Sequence, residues 1–418
     1  MSILADLLST VFERHAPLIA FKRQTGKSIE TLAEELLGAV GDMQILSLGT
    51  EIIETYQTID DERKKAFFEY LGHTMGIDAD AIRASLHAYE KDPTRASYSV
   101  FLNSVEPKRQ DLIRRLNRVP QATAGLVKMR ADLLRLSGEQ PDLASLDLDF
   151  KHLFESWFNR GFLVLRPINW ESPAHILEKV IAYEAVHEIT SWDDLRRRLQ
   201  PSDRRCFAFF HPAMPDEPLI FVEVALTRGP VQSVQALLSE SRVPISAADA
   251  DTAIFYSISN CQSGLARISF GNFLIKQVAS DLSAELQGLK TFVTLSPMPL
   301  LKDWADNNGL TNHFERTESL RNLAACYLLN VRREDGWPYD PVARFHLGNG
   351  AGIKEVYTGA DMSKKGMAQS GGVMVSYHYD LAKTTANLEN YAASQIVSAS
   401  PGITSAAAAF KLPDSSMG

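Results

Sequence analysis

Ala253-Ile254-Phe255-Tyr256-Ser257-Ile258-Ser259 opens the stretch that decides the fold, which runs from Thr252 to Trp304. Its run of aromatic and β-branched residues predicts a strand. A polar, glycine-containing segment follows over residues 260–271. Phe273, Leu274, Val278, Leu282 and Leu286 then recur at helical spacing, which predicts an amphipathic helix over about residues 272–287. Thr291-Phe292-Val293-Thr294-Leu295 reads as a second strand and runs straight into Ser296-Pro297-Met298-Pro299. Strand, glycine loop, helix, strand is a βαβ unit, expected to be right-handed with its two strands parallel. Gly271 falls where the helix begins, so unpaired backbone N–H groups and the positive end of the helix dipole make a ready anion site there. The parallel return brings Ser296 out on the same edge of the sheet. Pro297 and Pro299 stiffen the chain just past that hydroxyl and remove two donors.

Outward from this unit, two halves of different character emerge. A chain of 418 residues is too long for one ordinary core and predicts two or three domains. Residues 1 to about 140 read as helix after helix: Ser28 precedes Ile29, Leu32, Leu36 and Leu37, Asp60 and Asp61 precede Phe67, Phe68 and Leu71, and residues 78–89, 108–116 and 122–136 repeat the pattern. Further helices are expected between about 140 and 200, with Ser172 as an N-cap and Pro173 in the first turn. From about residue 205 strands take over, at 205–211 and 218–226, and a short helix follows at 231–238. The expected organisation is α+β: a helical domain over 1–200 serving packing or subunit contact, then an α/β domain over 201–418 carrying a mixed sheet. A helix is expected at the N-terminus, from the stripe Ile3, Leu4, Leu7, Leu8, Val11 and Phe12, and a frayed tail from about Ser400.

Composition excludes several classes. Hydrophobic residues make up 45% and charged ones 22%, as in soluble globular chains. The net charge is −8 with Lys and Arg dispersed, so no nucleic-acid footprint is present, and an anionic ligand must be attracted locally. No apolar run approaches the roughly 18–20 residues a membrane span needs. Cys206, Cys261 and Cys326 are few, odd in number and without metal spacing, which fits a reducing compartment. The sequence ends Ser-Ser-Met-Gly, without a peroxisomal address, so the cytoplasm is the expected location. Gly348-x-Gly350-x-Gly352 lacks the third glycine of a dinucleotide fingerprint and reads as a turn. The sequence has no Gly-x-Ser-x-Gly elbow, no His-x-x-x-His or Cys-x-x-Cys pair and no phosphate-binding Walker loop. His187, beside Glu184, is weighed as catalytic and read as a buried histidine or a cap contact; His211 at a strand end is a further candidate.

Taken together, Phe255-Tyr256-Ser257-Ile258-Ser259, Gly264-Leu265, Gly271-x-Phe273-Leu274-Ile275-Lys276, Leu295-Ser296-Pro297-x-Pro299 and Trp304 resemble the malonyl-CoA decarboxylase family. The resemblance extends over about residues 127–395. It includes Met129-Arg130-Ala131-Asp132-Leu133-Leu134, Trp157-Phe158-Asn159-x-Gly161-Phe162-Leu163, Glu184-Ala185-Val186-His187, the block Asp340 to Ala351, and Tyr377-His378-Tyr379. It implies an acetyltransferase-like (GNAT-type) fold for the second half, whose loop before the helix holds the coenzyme A pyrophosphate. The matching positions are Ala266, Arg267, Ile268, Ser269, Phe270, Gly271 and Asn272, with Ile275 and Lys276 one turn on. Acetyltransferase-like loops usually follow Gln/Arg-x-x-Gly-x-Gly/Ala; here only Gly271 matches well, and Arg267 offers charge instead.

On pattern alone Ser296 before a proline is an ordinary turn residue. The resemblance implies more, because Ser296 and His346 match the family's catalytic serine and histidine, and Tyr379 falls in its Tyr-x-Tyr. Losing CO2 from malonyl-CoA leaves an enolate on the thioester carbonyl, itself the electron sink, so no metal, pyridoxal or thiamine cofactor is called for. Such a site holds the scissile bond, stabilises the enolate oxygen and protonates the α-carbon. Histidine, with an unperturbed pKa of about 6.5, suits that proton transfer. The family casts the serine as proton acceptor and the histidine as donor, and its members are commonly tetramers. Leu300-Leu301 departs from the family's Gly-Phe after Ser-Pro-x-Pro and bears on the acyl pocket wall. An acyltransferase using the same groove and a non-catalytic acyl-CoA sensor are the other readings.

Overall fold

The computed structural model describes residues 26–138, 140–268 and 274–412. The expected N-terminal helix and the terminal Ser-Ser-Met-Gly lie outside them. The described residues divide into two compact units, one within Met1–Val164, Phe210–Pro218 and Gln262–Ser269, the other within Leu165–Phe209, Leu219–Cys261 and Phe270–Gly418. The expected boundary near residue 200 thus falls inside the second unit, because residues 165–209 pack with the sheet rather than with the helices.

The first unit is built from α1 (Ile29–Gly38), α2 (Asp42–Thr58), α3 (Asp61–His73), α4 (Ala79–Lys91), α5 (Arg95–Val105), α6 (Lys108–Leu116), α7 (Ala122–Leu136) and α8 (Pro141–Trp157). Ser28 caps α1 by accepting from Thr31 N–H, and Asp60 caps α3 by accepting from Arg63 N–H, as the sequence predicts. The apolar stripes converge on a core of Leu36, Ile52, Phe67, Phe68, Leu126, Leu133, Phe150 and Phe154, all fully buried. Arg130 on α7 is fully buried too. Its charge is met by Asp147 at 2.7 Å, and it donates to the carbonyls of Gly264 at 2.7 Å and Ala266 at 3.0 Å. The segment after the first strand of the βαβ unit is therefore pinned to α7.

In the second unit the strands are β1 (Val164–Ile168), β2 (Arg204–Phe210), β3 (Ile220–Thr227), β4 (Thr252–Asn260), β5 (Thr291–Thr294), β6 (Ser296–Pro297), β7 (Gly352–Tyr357) and β8 (Met374–His378). They form one mixed sheet in the order β1-β2-β3-β4-β5-β8-β6, with β7 on β8. This helical region followed by a mixed sheet is the α+β organisation expected. Helices α9 (Ala174–Tyr183), α10 (Trp192–Leu199), α11 (Val234–Leu238), α12 (Leu274–Glu285), α13 (Leu301–Asn307), α14 (Thr317–Asn330), α15 (Pro341–Leu347), α16 (Lys364–Ser370), α17 (Thr384–Ser394) and α18 (Pro401–Ala408) complete it.

The βαβ unit is β4-α12-β5, and its strands are parallel, from Thr252 opposite Thr291 to Phe255 opposite Thr294. There the pairing stops. β4 runs on to Asn260, whereas Ser296 and Pro297 pair instead with Val375 and Met374 of β8. Pro297 has no N–H to continue a ladder, so the two strands part and leave a cleft between residues 256–260 and 295–297.

Three local expectations are corrected. The stretch 140–200 contains a strand, β1, because Val164-Leu165 with Ile168 supplies β-branched and apolar residues for a sheet edge. Ser172 does not cap α9: its Oγ accepts from Asn169 N–H in a turn, and Pro173 stands at the N-cap. The tail beyond Ser400 is not frayed through its first helix, since Ser400 caps α18 and Ile403, Ala406 and Ala407 are buried. Small side chains let that helix pack closely. The Gly348–Gly352 segment is a turn into β7, as expected. Among the described residues no helix is long and apolar enough to cross a membrane, and no cluster of His, Cys, Asp or Glu is placed to hold a metal ion.

A Cβ built on Gly264 would lie 1.8 Å from the carbonyl oxygen of Val127, a backbone atom that cannot rotate away. Gly264→Ala is expected to destabilise the first unit by about 3 kcal/mol, the upper range for overpacking. Urea unfolding followed by circular dichroism checks this; an unchanged midpoint would contradict the close approach.

Candidate active site

The sequence builds the site from three separate segments. Asp340-Pro341 starts α15: the Asp340 carboxylate accepts from the N–H groups of Val342 and Ala343, both at 2.9 Å, and proline needs no partner in the first turn. Burial raises the Asp340 carboxyl to about 6, although these two bonds pull it back toward its usual range. The helix is only seven residues long, and near its end it delivers His346, which is 2% exposed. Thr294 ends β5 and Ser296 begins β6, so the two side chains share a face of the extended chain. Tyr377 and Tyr379 come from β8 and the residue just past it, and Tyr379 N–H is tied to Phe292 C=O at 2.8 Å.

These side chains form one hydrogen-bonded line. Ser296 Oγ lies 3.0 Å from His346 Nε2, and His346 Nδ1 lies 2.9 Å from the Tyr379 hydroxyl. Ser296 Oγ donates to Thr294 Oγ1 at 2.8 Å, and Thr294 Oγ1 also accepts from Tyr377 N–H at 3.1 Å. A serine has one proton to give. With that proton on the Thr294 side, His346 Nε2 carries the hydrogen donated to Ser296, and Nδ1 accepts from Tyr379. The Tyr377 ring stacks on the imidazole, centroids 4.4 Å apart at 24°. The Phe255 ring meets Tyr379 edge to face at 6.4 Å.

Burial dominates the electrostatics, with the Asp340 charge adding to it at Tyr377. It lowers His346 to about 3, with no charged partner to offset the loss of water, and it pushes the Tyr379 and Tyr377 phenols well above their usual value. The site is therefore uncharged at neutral pH without a ligand. An unperturbed imidazole, expected from the sequence, is not what the fold supplies.

The cleft left by the parting of β4 and β5 opens onto this line. It is a cavity of about 240 Å³ walled by Val186, Phe255, Tyr256, Ile258, Asn260, Leu295 and Pro297 and by Val342 and Phe345 of α15, with Ser296 and His346 in its lining. A few polar groups in a mostly apolar concavity are the usual form of a small-molecule site.

The remaining candidates fall elsewhere. Ser269, Phe270, Gly271 and Asn272 lie outside the described residues. Ala266 and Arg267 are exposed and Ile268 is buried, within the first unit, and Arg267 takes the left-handed conformation at φ 64°. Ile275 is fully buried in α12 of the second unit. His187 is a buried histidine whose N–H donates to Glu184 Oε1 at 2.8 Å, and it does not join the Ser296 line. His211 belongs to the first unit, with Nε2 3.1 Å from the Trp157 carbonyl. Sequence reasoning missed Thr294; its place two residues before Ser296 on an extended segment was the available signal.

The similarities to known proteins point one way. A family model described as the malonyl-CoA decarboxylase C-terminal domain matches residues 161–318 and 303–414, and one described as the malonyl-CoA decarboxylase N-terminal domain matches residues 75–158. The mitochondrial malonyl-CoA decarboxylase of Anser anser anser is 33% identical over 356 residues, 73% of this chain and 70% of that protein. Among solved structures, the malonyl-CoA decarboxylase from Rhodopseudomonas palustris superposes with a TM-score of 0.85 at 43% identity, covering 90% of this chain and 98% of its own. The one from Agrobacterium vitis gives 0.86 at 45% identity, covering 91% and 99%.

The lowered His346 value has a measurable consequence. Between pH 6.5 and 3 the unfolded chain binds a proton at His346 and the folded chain does not, so stability falls as pH drops through that window. The slope contributed is up to about 1.4 kcal/mol per pH unit. A His346→Gln variant lacks it, so the stability advantage of the native chain over the variant should shrink from pH 7 to pH 5 in urea unfolding. A pH-independent gap would show that the imidazole is not desolvated.

Proposed function

The chain belongs to the malonyl-CoA decarboxylase family, and we propose that Ser296 and His346, backed by Tyr379, convert malonyl-CoA to acetyl-CoA and CO2 in the cleft between β4 and β6. The chain is a carboxy-lyase, and the observation that carries the site assignment is the continuous line Thr294–Ser296–His346–Tyr379 at the end of that cleft. No metal or organic cofactor enters this reading, because the thioester carbonyl itself accepts the electron pair.

The chemistry follows from the burial. A malonyl carboxylate entering an uncharged, mostly apolar cleft brings a negative charge close to His346, which raises the imidazole pKa and draws a proton from solvent. Ser296 hydrogen-bonds the carboxylate without a formal charge, so the ground state is not held as tightly as an arginine would hold it. When the bond between the carboxylate carbon and the α-carbon breaks, its electron pair moves into the thioester carbonyl and CO2 leaves. The negative charge then sits on the enolate, and His346 gives its proton to the α-carbon, which yields acetyl-CoA and returns the imidazole to its neutral form. One solvent proton is consumed per turnover. Tyr379 accepts from Nδ1 while the ring is charged and donates to it when neutral, which keeps the ring oriented in both states. Residues 266–272 with Ile275 are assigned to the coenzyme A end.

Subunit contact is assigned to the helical unit, as expected of a tetramer. The reading is supported by α5, which buries none of its residues and exposes Tyr98, Val100 and Leu102. The free thiols of Cys206, Cys261 and Cys326 suit a reducing compartment such as the cytoplasm.

Incubating the purified protein with malonyl-CoA and following CO2 release tests the assignment. Ser296→Ala and His346→Ala should each lower kcat at least about 100-fold, the scale of a lost acid–base group, while coenzyme A still binds. Tyr379→Phe should cost less, since the imidazole keeps its Ser296 contact. Full rate in either alanine variant overturns the site.

A further inference from the structure

One motif, Glu184-Ala185-Val186-His187, takes no part in this chemistry, yet it lies in a heavily tied loop beside the cleft. Residues 184–191 join α9 to α10 without regular structure of their own. Their backbone groups are nonetheless held by side chains. Glu184 Oε1 accepts from the N–H groups of Val186 and His187, both at 2.8 Å, and Ala185 N–H donates to Ser259 Oγ at 3.1 Å. Lys365 Nζ donates to the Ala185 carbonyl, and Arg198 donates to the carbonyls of His187 at 2.8 Å and Glu188 at 3.1 Å. Glu184 also accepts from Ser257 Oγ at 2.7 Å to each oxygen and from Ser259 Oγ at 3.3 Å.

Two observations connect this clamp with the cleft. Ser257 and Ser259 alternate along β4 with Tyr256 and Ile258, and the cleft lining includes both of these apolar-bodied residues. Val186, whose N–H Glu184 holds, is the one residue that lines both the cleft and a second cavity, of about 600 Å³, which also carries His187, Arg198 and Asp361. The Val186 side chain thus separates the reactive cleft from empty space. A wall with a larger void behind it keeps its position only if its own backbone is anchored, and Glu184 is that anchor. Glu223, opposite Ser257 on β3, is fully buried and raised to about 8 by burial first and then by the Glu184 charge. Arg198, which also ties the loop carbonyls, donates to Glu223 at 3.3 Å, so clamp and strand share one polar network.

We propose that Glu184 is a positioning residue which, through Ser257, Ser259 and the backbone of residues 185–187, holds Val186 as the wall that excludes a methyl branch on the malonyl group. The proposal rests on the decarboxylation assigned above and adds its substrate specificity. Ile258 and Phe345 close other sides of the cleft; Ile258 stands between the two serines that Glu184 holds, and β4 is paired in the sheet besides, so Val186 is the wall whose loop relies on the clamp.

The test compares kcat/KM for malonyl-CoA and methylmalonyl-CoA in the native chain and in Val186→Ala, Glu184→Ala, Glu184→Gln and Ser257→Ala. Val186→Ala should move the ratio about ten-fold toward methylmalonyl-CoA, the scale of one carbon in an apolar pocket. Glu184→Ala should move it in the same direction. Glu184→Gln keeps an acceptor for the two N–H groups and a partner for the serine hydroxyls, so its ratio should stay near that of the native chain. Ser257→Ala removes one donor and should give a smaller shift of the same sign, which reads the clamp if Glu184→Ala does not fold. The proposal is overturned if Val186→Ala leaves the ratio unchanged, or if Val186→Ala shifts it while Glu184→Ala or Ser257→Ala lowers both rates equally. Should the native chain turn over neither thioester, the functional reading fails by itself. The wall is then read from the relative affinities of the two thioesters by calorimetry in the same variants, where equal affinities throughout overturn it.

Discussion

The end of one strand pairing governs the second unit. β4 and β5 run parallel for four residues on each strand and part after Phe255 and Thr294, because beyond Leu295 the residues Ser296 and Pro297 turn their pairing to β8. Parallel neighbours ordinarily cover each other along their length; here the uncovered end of β4 becomes one wall of a cleft and Leu295–Pro297 the other. The same divergence points the Ser296 hydroxyl at α15 and brings Thr294 beside it. A proline within the pair is what makes the parting permanent, since a missing N–H cannot be regained by a small shift of register.

What enters that cleft meets polar groups without charge. Thr294, Ser296, His346 and Tyr379 are each at most 5% exposed, and the imidazole has hydroxyls on both nitrogens but no carboxylate. In a hydrolase triad a buried acid stabilises the imidazolium. Here a tyrosine occupies that position, so the charge that stabilises a protonated His346 has to come from the ligand. On the proposed assignment, a reaction that begins with a carboxylate would thereby supply its own charge to protonate the imidazole. An apolar surround also disfavours the localised carboxylate more than the dispersed charge of a breaking bond.

The helical unit has a polar anchor of its own. Arg130 is fully buried, and two of its contacts are backbone carbonyls at Gly264 and Ala266, the latter the first residue of the segment proposed for the coenzyme A end. Drawing those carbonyls away from a buried guanidinium would be costly, so Arg130 fixes the course of that segment more firmly than apolar packing alone. Gly264 reinforces it by the closeness of its approach to α7.

The sequence by itself determined the helical first half, the order strand–helix–strand at 252–295, and, through family resemblance, the pairing of Ser296 with His346 and Tyr379. These rest on information local to the chain or on motifs a few residues long: apolar period, capping side chains such as Ser28 and Asp60, and short words such as Leu-Ser-Pro. Only the tertiary structure decided that residues 165–200 pack with the sheet, that Thr294 stands beside Ser296, that the tail beyond Ser400 packs as a helix, and that His346 is desolvated. A strand edge such as β1 is stabilised by the neighbour it pairs with, and a pKa is set by the water that distant segments exclude. Neither quantity is a property of residues adjacent in sequence, so no reading of spacing reaches it.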